Sequence, residues 1–223
     1  MKIDIIENVM QYNSQEADLN RELFFNKKIF VINILSAPGA GKTSFIIENI
    51  KKLKGKIRTG VIEGDISSTH DSEKIKKYIE NVVQINTGGT CHLNASMVAK
   101  AVEKINLSEI DLLFIENVGN LICPVGFDLG EDYRILLSSV SEGDDKPVKY
   151  PKAFVKTDMV ILNKKDMMPY SDFNYCFFES KVKELNKSAG LITISCKTGE
   201  GIDYWLEILS SLIEAKKQND LQL

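Results

Sequence analysis

The chain has 223 residues, 43% of them hydrophobic, which suits one α/β domain with a sizeable core. Lys and Arg number 28 against 31 Asp and Glu, and the net charge of −3 gives no general electrostatic reason to expect a nucleic acid or a membrane as partner. No signal peptide or apolar run of membrane-spanning length is visible, and the four scattered Cys do not suggest a disulfide framework, so a cytoplasmic protein is predicted.

Strand-like and helix-like segments alternate along the chain. Residues 1–28 carry apolar side chains at helical spacing and contain neither Cys nor His, which predicts a helical lead-in packed on the domain that follows. That domain is predicted to span residues 29–217, leaving the polar residues 218–223 as a frayed tail. The alternation predicts an α/β fold of three layers, with a mostly parallel sheet flanked by helices on both faces.

The most informative stretch is Ser36-Ala-Pro-Gly-Ala-Gly-Lys-Thr43, which follows an apolar run at residues 29–35 and opens a helical pattern. A strand, a glycine-rich turn and a helix in this order are typical of a P-loop, whose backbone amides point at a phosphate. Lys42 would reach the β- and γ-phosphates, and the Thr43 hydroxyl would contact Mg²⁺. Ser36 stands where the pattern usually has its first glycine, a position that mainly shapes the turn. The predicted nucleotide-binding residues here are Pro38, Gly39, Ala40, Gly41, Lys42, Thr43 and Ser44.

Two further predicted strands end in an acidic residue, Asp65 and Glu116, at the edge where open α/β sheets build their sites. Glu116 is predicted to act on Mg²⁺ or on the attacking water, and the nearby Gly119 amide to bind the γ-phosphate. Asp65, followed by a polar segment that suits a switch loop, would hold Mg²⁺ or position water; a helix N-cap is the alternative. The predicted catalytic residues are Lys42, Asp65 and Glu116, and the predicted Mg²⁺ residues are Thr43, Asp65 and Glu116.

A loop that reads guanine is predicted at residues 163–166, after another apolar strand. The Asp166 carboxylate can accept hydrogen bonds from guanine N1–H and the exocyclic amine, donors that adenine does not offer there. A second loop further along the chain offers backbone amides to guanine O6. These motifs come in the order of a GTPase, which predicts GTP and GDP as ligands; the charged residues 141–147 are either a solvated loop or part of the nucleotide edge. The predicted guanine-site residues are Asn163, Lys164, Asp166, Ser195, Cys196 and Lys197.

Cys91, His92 and Cys123 form a candidate metal site, since Cys and His suit nickel or zinc. Adjacent residues cannot face one site from a regular strand or helix, but the glycines at residues 88–89 could let both turn inward. Three ligands do not close a tetrahedral site, so water, a metal-receiving partner or the same residues of a second subunit would complete it. Cys123 follows Gly119 by four residues, so a γ-phosphate that moves this segment should also move a metal ligand. The alternative is two buried Cys and an unrelated His.

Longer motifs carry a family resemblance. They are Glu63-Gly-Asp65, Asn86-Thr-Gly-Gly-Thr-Cys-His-Leu93, Ile115-Glu-Asn-Val-Gly-Asn-Leu-Ile-Cys-Pro124, Phe127-Asp-Leu-Gly-Glu131 and Glu142-Gly-Asp-Asp-Lys-Pro-Val-Lys-Tyr-Pro151. With these, the chain resembles the HypB family of hydrogenase nickel-incorporation GTPases, from about residue 20 to the last helix. The resemblance implies the signal-recognition-particle/MinD-like (SIMIBI) class of P-loop folds, slow GTP hydrolysis and a GTP-dependent homodimer. It also implies nickel delivery to the large-subunit precursor of [NiFe]-hydrogenase, with a HypA-type nickel chaperone as partner.

By the same resemblance, Cys91, His92 and Cys123 match the family's nickel or zinc site at the dimer interface. Asp65 and Glu116 match its Mg²⁺ and switch positions. Residues 1–28 lack the Cys-rich or His-rich tract that some members carry, so the site in the GTPase domain would serve alone or be loaded by a partner.

Other functions remain open on the sequence. A urease-accessory GTPase would be expected to carry Cys-Pro-His, whereas here Cys91 and His92 are adjacent. A zinc-stabilised scaffold with incidental GTPase activity would bind metal equally in every nucleotide state. A small-molecule kinase could share the P-loop but would not need the guanine motif.

Overall fold

The computed structural model describes residues 4–218. The first three residues lie outside that range, as does the predicted frayed tail apart from Gln218. Within residues 4–218 the chain forms seven β-strands and eight α-helices. The strands are β1 (Phe30–Leu35), β2 (Thr59–Asp65), β3 (Val82–Asn86), β4 (Leu112–Glu116), β5 (Tyr133–Ser139), β6 (Met159–Asn163) and β7 (Gly190–Thr193). The helices are α1 (Asp4–Lys27), α2 (Lys42–Leu53), α3 (His70–Lys76), α4 (Ala95–Val102), α5 (Lys146–Lys149), α6 (Pro151–Val155), α7 (Tyr175–Leu185) and α8 (Ile202–Lys217).

The strands form one sheet in the order β3-β2-β4-β1-β5-β6-β7, and every neighbouring pair is parallel. Strands β1, β4 and β6 are buried along their whole length, as expected for parallel strands covered on both faces. The predicted three-layer α/β fold, with a mostly parallel sheet flanked by helices on both faces, is confirmed.

Helices cover the sheet through three apolar clusters. On one face, α2 and α8 pack together through Phe45 and Trp205, whose indole N–H donates to Asn49 Oδ1 at 2.8 Å. On the other face, Phe24 of α1 belongs to a cluster that includes residues of α4, β1 and β4. The third cluster includes residues of α6, α7, β5 and β6. The helix predicted for residues 1–28 is therefore present as α1 and packed; the domain boundary at residue 28 stays a prediction.

Prolines and a side-chain cap determine where three of the helices begin. Helices α5 and α6 were not predicted, because each is only about one turn long; Pro147 is the second residue of α5 and Pro151 the first of α6, and in the first turn of a helix the missing N–H of proline breaks no helical hydrogen bond. Helix α7 begins at Tyr175, because the Asn174 side chain accepts a hydrogen bond from Phe177 N at 3.0 Å and caps it. Over the part of the chain described, no helix is long and apolar enough to cross a membrane.

Candidate functional site

The P-loop connects the end of β1 to the start of α2. Gly41 has φ +101°, and a Cβ there would lie 2.6 Å from Asn163 Nδ2, so only glycine fits this turn. The Lys42 ammonium is buried, which lowers its pKa, and it donates to Ser36 Oγ at 2.8 Å. The serine in place of the usual glycine thus holds the P-loop lysine in position.

An open cleft of about 380 Å³ lies between the P-loop and the carboxyl ends of β2 and β4. Thr43 Oγ1 donates to Glu116 Oε1 at 3.0 Å, while Glu116 Oε2 is buried without a hydrogen-bond partner. Glu63, paired in register with Glu116, also has a buried Oε2 without a partner. Burial and the neighbouring Glu116 raise the pKa of Glu63 to about 8. Burial raises the pKa of Glu116 to about 7, against the opposing effect of Lys42.

This acidic cluster fits a hard divalent cation. Mg²⁺ prefers oxygen ligands, and a buried carboxylate oxygen without a partner is the group that such a cation would satisfy. Thr43 and Glu116 lie together at the cleft, as the sequence predicted. Asp65 lines the same cleft, but its Oδ1 accepts from Ser67 N at 2.8 Å and Ser68 N at 2.6 Å, so it also shapes its own loop.

Two acids of this cleft were not singled out from the sequence, Glu63 and Asp71. Glu63 had a usable signal: it is an acidic residue two positions before Asp65, in the strand that ends at the site. Asp71 had none, because it lies in the first turn of α3, where acids are common for helix stability alone.

The free energy of unfolding of the metal-free and nucleotide-free protein should fall as the pH rises from about 5 to about 9. A carboxyl whose pKa rises from 4.5 to about 8 on folding favours the folded state while protonated, and this contribution disappears as the pH rises through the folded value. We expect Glu63→Gln to increase the free energy of unfolding at pH 9 by on the order of 2–4 kcal/mol, with little change at pH 5. Urea denaturation at both pH values measures this. The exposed Glu207→Gln is the control, and an equal pH dependence in wild type and Glu63→Gln would contradict the expectation.

The segment after β4 lies against the P-loop. A Cβ at Gly119 would lie 3.2 Å from Pro38 Cα, so glycine allows the close backbone approach. Residues 116–119 line the nucleotide cleft together with the P-loop. This is the position that a sensor of the γ-phosphate requires.

Five of the six predicted guanine-site residues, all except Ser195, line a second cleft of about 400 Å³ beside the P-loop. Asn163 Nδ2 donates to Ala40 O at 2.9 Å, and its Oδ1 accepts from Cys196 N at 3.1 Å, so this side chain joins three loops. Ser195 Oγ donates to Asp166 Oδ1 at 2.6 Å and orients the carboxylate. The cleft is lined by Gly41, Ser44, Asn163, Lys164, Asp166, Met167, Cys196 and Lys197.

The charged residues 141–147 are largely half-buried rather than a solvated loop. Lys164 Nζ donates to Gly39 O at 2.7 Å and to Ser141 Oγ at 2.9 Å. Burial raises the pKa of Glu142, which accepts a hydrogen bond from Ser139 Oγ. The segment is therefore packed beside the guanine-site residue Lys164; that it contacts a nucleotide stays a prediction.

The three predicted metal ligands are neighbours, but they do not form a finished site. The Cys91 thiol lies 3.9 Å from His92 Nδ1, and hydrogen bonding to Cys123 raises the pKa of Cys91. The His92 ring stacks on Phe127 with centroids 3.9 Å apart, and burial lowers its pKa. Within residues 4–218, no three His, Cys, Asp or Glu side chains are arranged to hold a metal ion. One chain therefore presents an open set of soft ligands that needs rearrangement or further ligands.

Known proteins resemble this chain over most of its length. Residues 30–193 match the family described as "CobW/HypB/UreG, nucleotide-binding domain". The hydrogenase maturation factor HypB of Rhizobium leguminosarum bv. viciae is 42% identical over 209 residues, 92% of this chain and 70% of that protein. HypB from Archaeoglobus fulgidus has a TM-score of 0.85 at 36% identity, covering 91% of this chain and 99% of that structure. HypB from Helicobacter pylori, solved in complex with nickel, has a TM-score of 0.85 at 34% identity, covering 93% and 96%.

Proposed function

Because the chain belongs to the CobW/HypB/UreG family, and within it to the HypB hydrogenase maturation factors, we propose that it is a GTP-hydrolysing nickel metallochaperone. The single observation that carries the proposal is the continuity of residues 116–123. This segment begins at the nucleotide cleft with Glu116 and ends at the thiol of Cys123, which contacts Cys91.

Guanine specificity follows from the second cleft. Ser195 occupies one oxygen of Asp166, which leaves the other, Oδ2, to accept from the purine edge. Adenine lacks both donors at that edge and would leave Asp166 Oδ2 without a hydrogen bond from the base, which a hydrogen-bonding site rejects strongly. Lys164, whose Nζ donates to Gly39 O of the P-loop, would cover the base.

Hydrolysis would take place in the first cleft. The P-loop amides and Lys42 would hold the β- and γ-phosphates, and Thr43 and Glu116 would hold Mg²⁺. The bound cation supplies neutralisation of the charge that develops on the phosphates. Asp65 would orient the attacking water, and the Gly119 amide would contact the γ-phosphate. Lys42 would leave its present contact with Ser36 to do so.

Nickel would be the cargo, bound by Cys91, His92 and Cys123. A second subunit would complete the site, since one chain offers three ligands at most. Ile122, next to Cys123 in the chain, is 70% exposed, and a second subunit bound at this site would cover it. Zinc suits the same ligands. A HypA-type chaperone would load the metal, and the precursor of the [NiFe]-hydrogenase large subunit would receive it, all in the cytoplasm.

Nickel affinity and dimerisation should change together with the nucleotide. We expect a non-hydrolysable GTP analogue to shift nickel affinity by roughly tenfold relative to GDP, the usual range for coupling between two sites. Nickel titration of the purified protein, with the oligomeric state followed by light scattering in the same samples, measures both. Zinc titration under the same conditions compares the two metals.

Equal nickel affinity in both nucleotide states would exclude delivery driven by GTP. The scaffold function with incidental hydrolysis would then be the better description. Absence of any GTP binding would remove the whole proposal.

A further inference from the structure

Residues 116–119, which line the nucleotide cleft, are here called the switch segment, and the loops that carry Cys91–His92 and Cys123 are called the metal loops. Four largely buried polar side chains join the switch segment to both metal loops and are here called the polar cluster: Asn33, Asn117, Glu131 and Arg134. Asn33 and Asn117 are fully buried, and the side chains of Glu131 and Arg134 are 6% and 14% exposed. None of these residues binds nucleotide or metal in the proposal above. Their hydrogen bonds nevertheless run between the parts of the molecule that the proposal requires to move together.

Asn117 lies at the nucleotide cleft and also contacts the metal loop that carries Cys91 and His92. Its Oδ1 accepts from Val118 N at 3.0 Å, within the switch segment. The same oxygen accepts from Leu93 N at 3.2 Å, immediately after Cys91 and His92. Asn117 itself lines the nucleotide cleft. One oxygen atom therefore holds the backbone of the switch segment to the backbone of a metal loop.

A second branch runs from Asn117 through the sheet to the loop after Cys123. Asn117 Nδ2 donates to Asn33 Oδ1 at 3.3 Å, and Asn33 Nδ2 donates to Glu131 Oε1 at 3.0 Å. Arg134 Nε donates to the same carboxylate oxygen at 2.8 Å. The Arg134 guanidinium also donates to Val125 O at 3.3 Å and to Phe127 O at 3.2 Å. Phe127 is the ring on which His92 stacks.

Stability alone gives no reason for this cluster. Asn33 is the one polar side chain in the otherwise apolar β1, at the centre of the sheet. Well-packed apolar residues at such positions are often as stabilising as a buried polar network. A fully hydrogen-bonded network does hold its members in one arrangement, because moving one member leaves the others without partners. The bonds join a nucleotide-lining segment to both metal loops.

We propose that Asn117 is the positioning residue that couples nucleotide state to the geometry of the nickel site. A γ-phosphate that draws residues 118–119 toward the P-loop displaces the Asn117 side chain. Leu93 follows directly and the loop after Cys123 follows through Asn33, so both halves of the ligand set move. The inference rests on the proposed function and names the residue through which the two sites communicate.

The test is nickel titration of the full chain with GDP and with a non-hydrolysable GTP analogue, in wild type and three variants. Asn117→Ala removes the oxygen shared by Val118 and Leu93, and Asn33→Val cuts only the second branch with a side chain of similar size. Asn49→Ala is the matched control: it also removes a fully buried Asn, but one bonded to Phe45 and Trp205, away from both metal loops. GTP affinity and thermal unfolding are measured for each.

In wild type we expect the nickel affinities in the two nucleotide states to differ by roughly tenfold. Asn117→Ala should reduce this ratio to about one while still binding GTP and nickel, and Asn33→Val should reduce it partly, with Asn49→Ala keeping it. An unchanged ratio in a folded Asn117→Ala or Asn33→Val overturns the inference and leaves the proposed function intact. A ratio of one already in wild type overturns the proposed coupling itself. Equal loss in Asn49→Ala would assign the effect to general destabilisation and also overturn the inference.

Discussion

Asp166→Asn should weaken GTP binding by roughly 10²–10³-fold, because truncating one partner of a buried charged hydrogen-bonding pair costs about 2–5 kcal/mol. The same variant should gain affinity for xanthosine triphosphate. Xanthine offers a carbonyl oxygen where guanine has its exocyclic amine, and an asparagine amide can donate to it. Ser195 Oγ donates to Asp166 Oδ1 at 2.6 Å and can donate equally to the amide oxygen, so the loop should keep its shape.

Fluorescence titration with GTP, ATP and xanthosine triphosphate analogues measures the change in base preference. Asp172→Asn is the matched control, since Asp172 is exposed and lies outside both nucleotide clefts. If Asp166→Asn bound GTP as wild type does, the guanine assignment of this loop would be wrong.

Cys123→Ala should weaken nickel binding by roughly 10²-fold or more, since even residues that only support a metal ligand typically contribute 10–100-fold. Cys123 contacts Cys91 and is only half-buried, so its loss should leave little cavity. GTP affinity should stay nearly unchanged, because no atom of Cys123 lines either nucleotide cleft.

Nickel titration followed by the thiolate-to-nickel absorption band measures this loss directly. Cys176→Ala is the matched control, because Cys176 is a free and exposed cysteine on α7. Normal nickel affinity in Cys123→Ala would remove this residue from the site. Loss of GTP binding in the same variant would point to a collapsed switch segment instead.

These two substitutions separate the two halves of the proposed function. Asp166 lies at the proposed guanine cleft and Cys123 at the far end of the segment that begins with Glu116. If each variant loses only its own ligand, the two sites are distinct. The coupling between the two sites would then be carried by residues that bind neither ligand, and Asn117 is the residue proposed for this role.

The sequence by itself determined the fold class and the placement of the nucleotide motifs. Local patterns carry this information: an apolar run of strand length followed by Gly39 and Gly41 specifies a strand, a tight turn and a helix within one short stretch. The short spacing from the end of β4 to Gly119 likewise predicts that this glycine lies near the phosphates, because both β1 and β4 end at the same edge of the sheet. The predicted guanine-site residues Asn163 and Asp166 lie together because Asn163 ends β6 and Asp166 follows three residues later.

Only the tertiary structure decided what joins these segments. The bond from Leu93 N to Asn117 crosses 24 residues of sequence and that from Asn117 to Asn33 crosses 84. No local period or propensity encodes such pairs. The first forms when the loop after β3 packs against the end of β4, and the second when the sheet brings β1 and β4 side by side. The pairing of Glu63 with Glu116 likewise exists only through the register of β2 on β4. Motif chemistry is local and can be read along the chain, whereas buried polar contacts between distant segments depend on the folded packing that removes them from water.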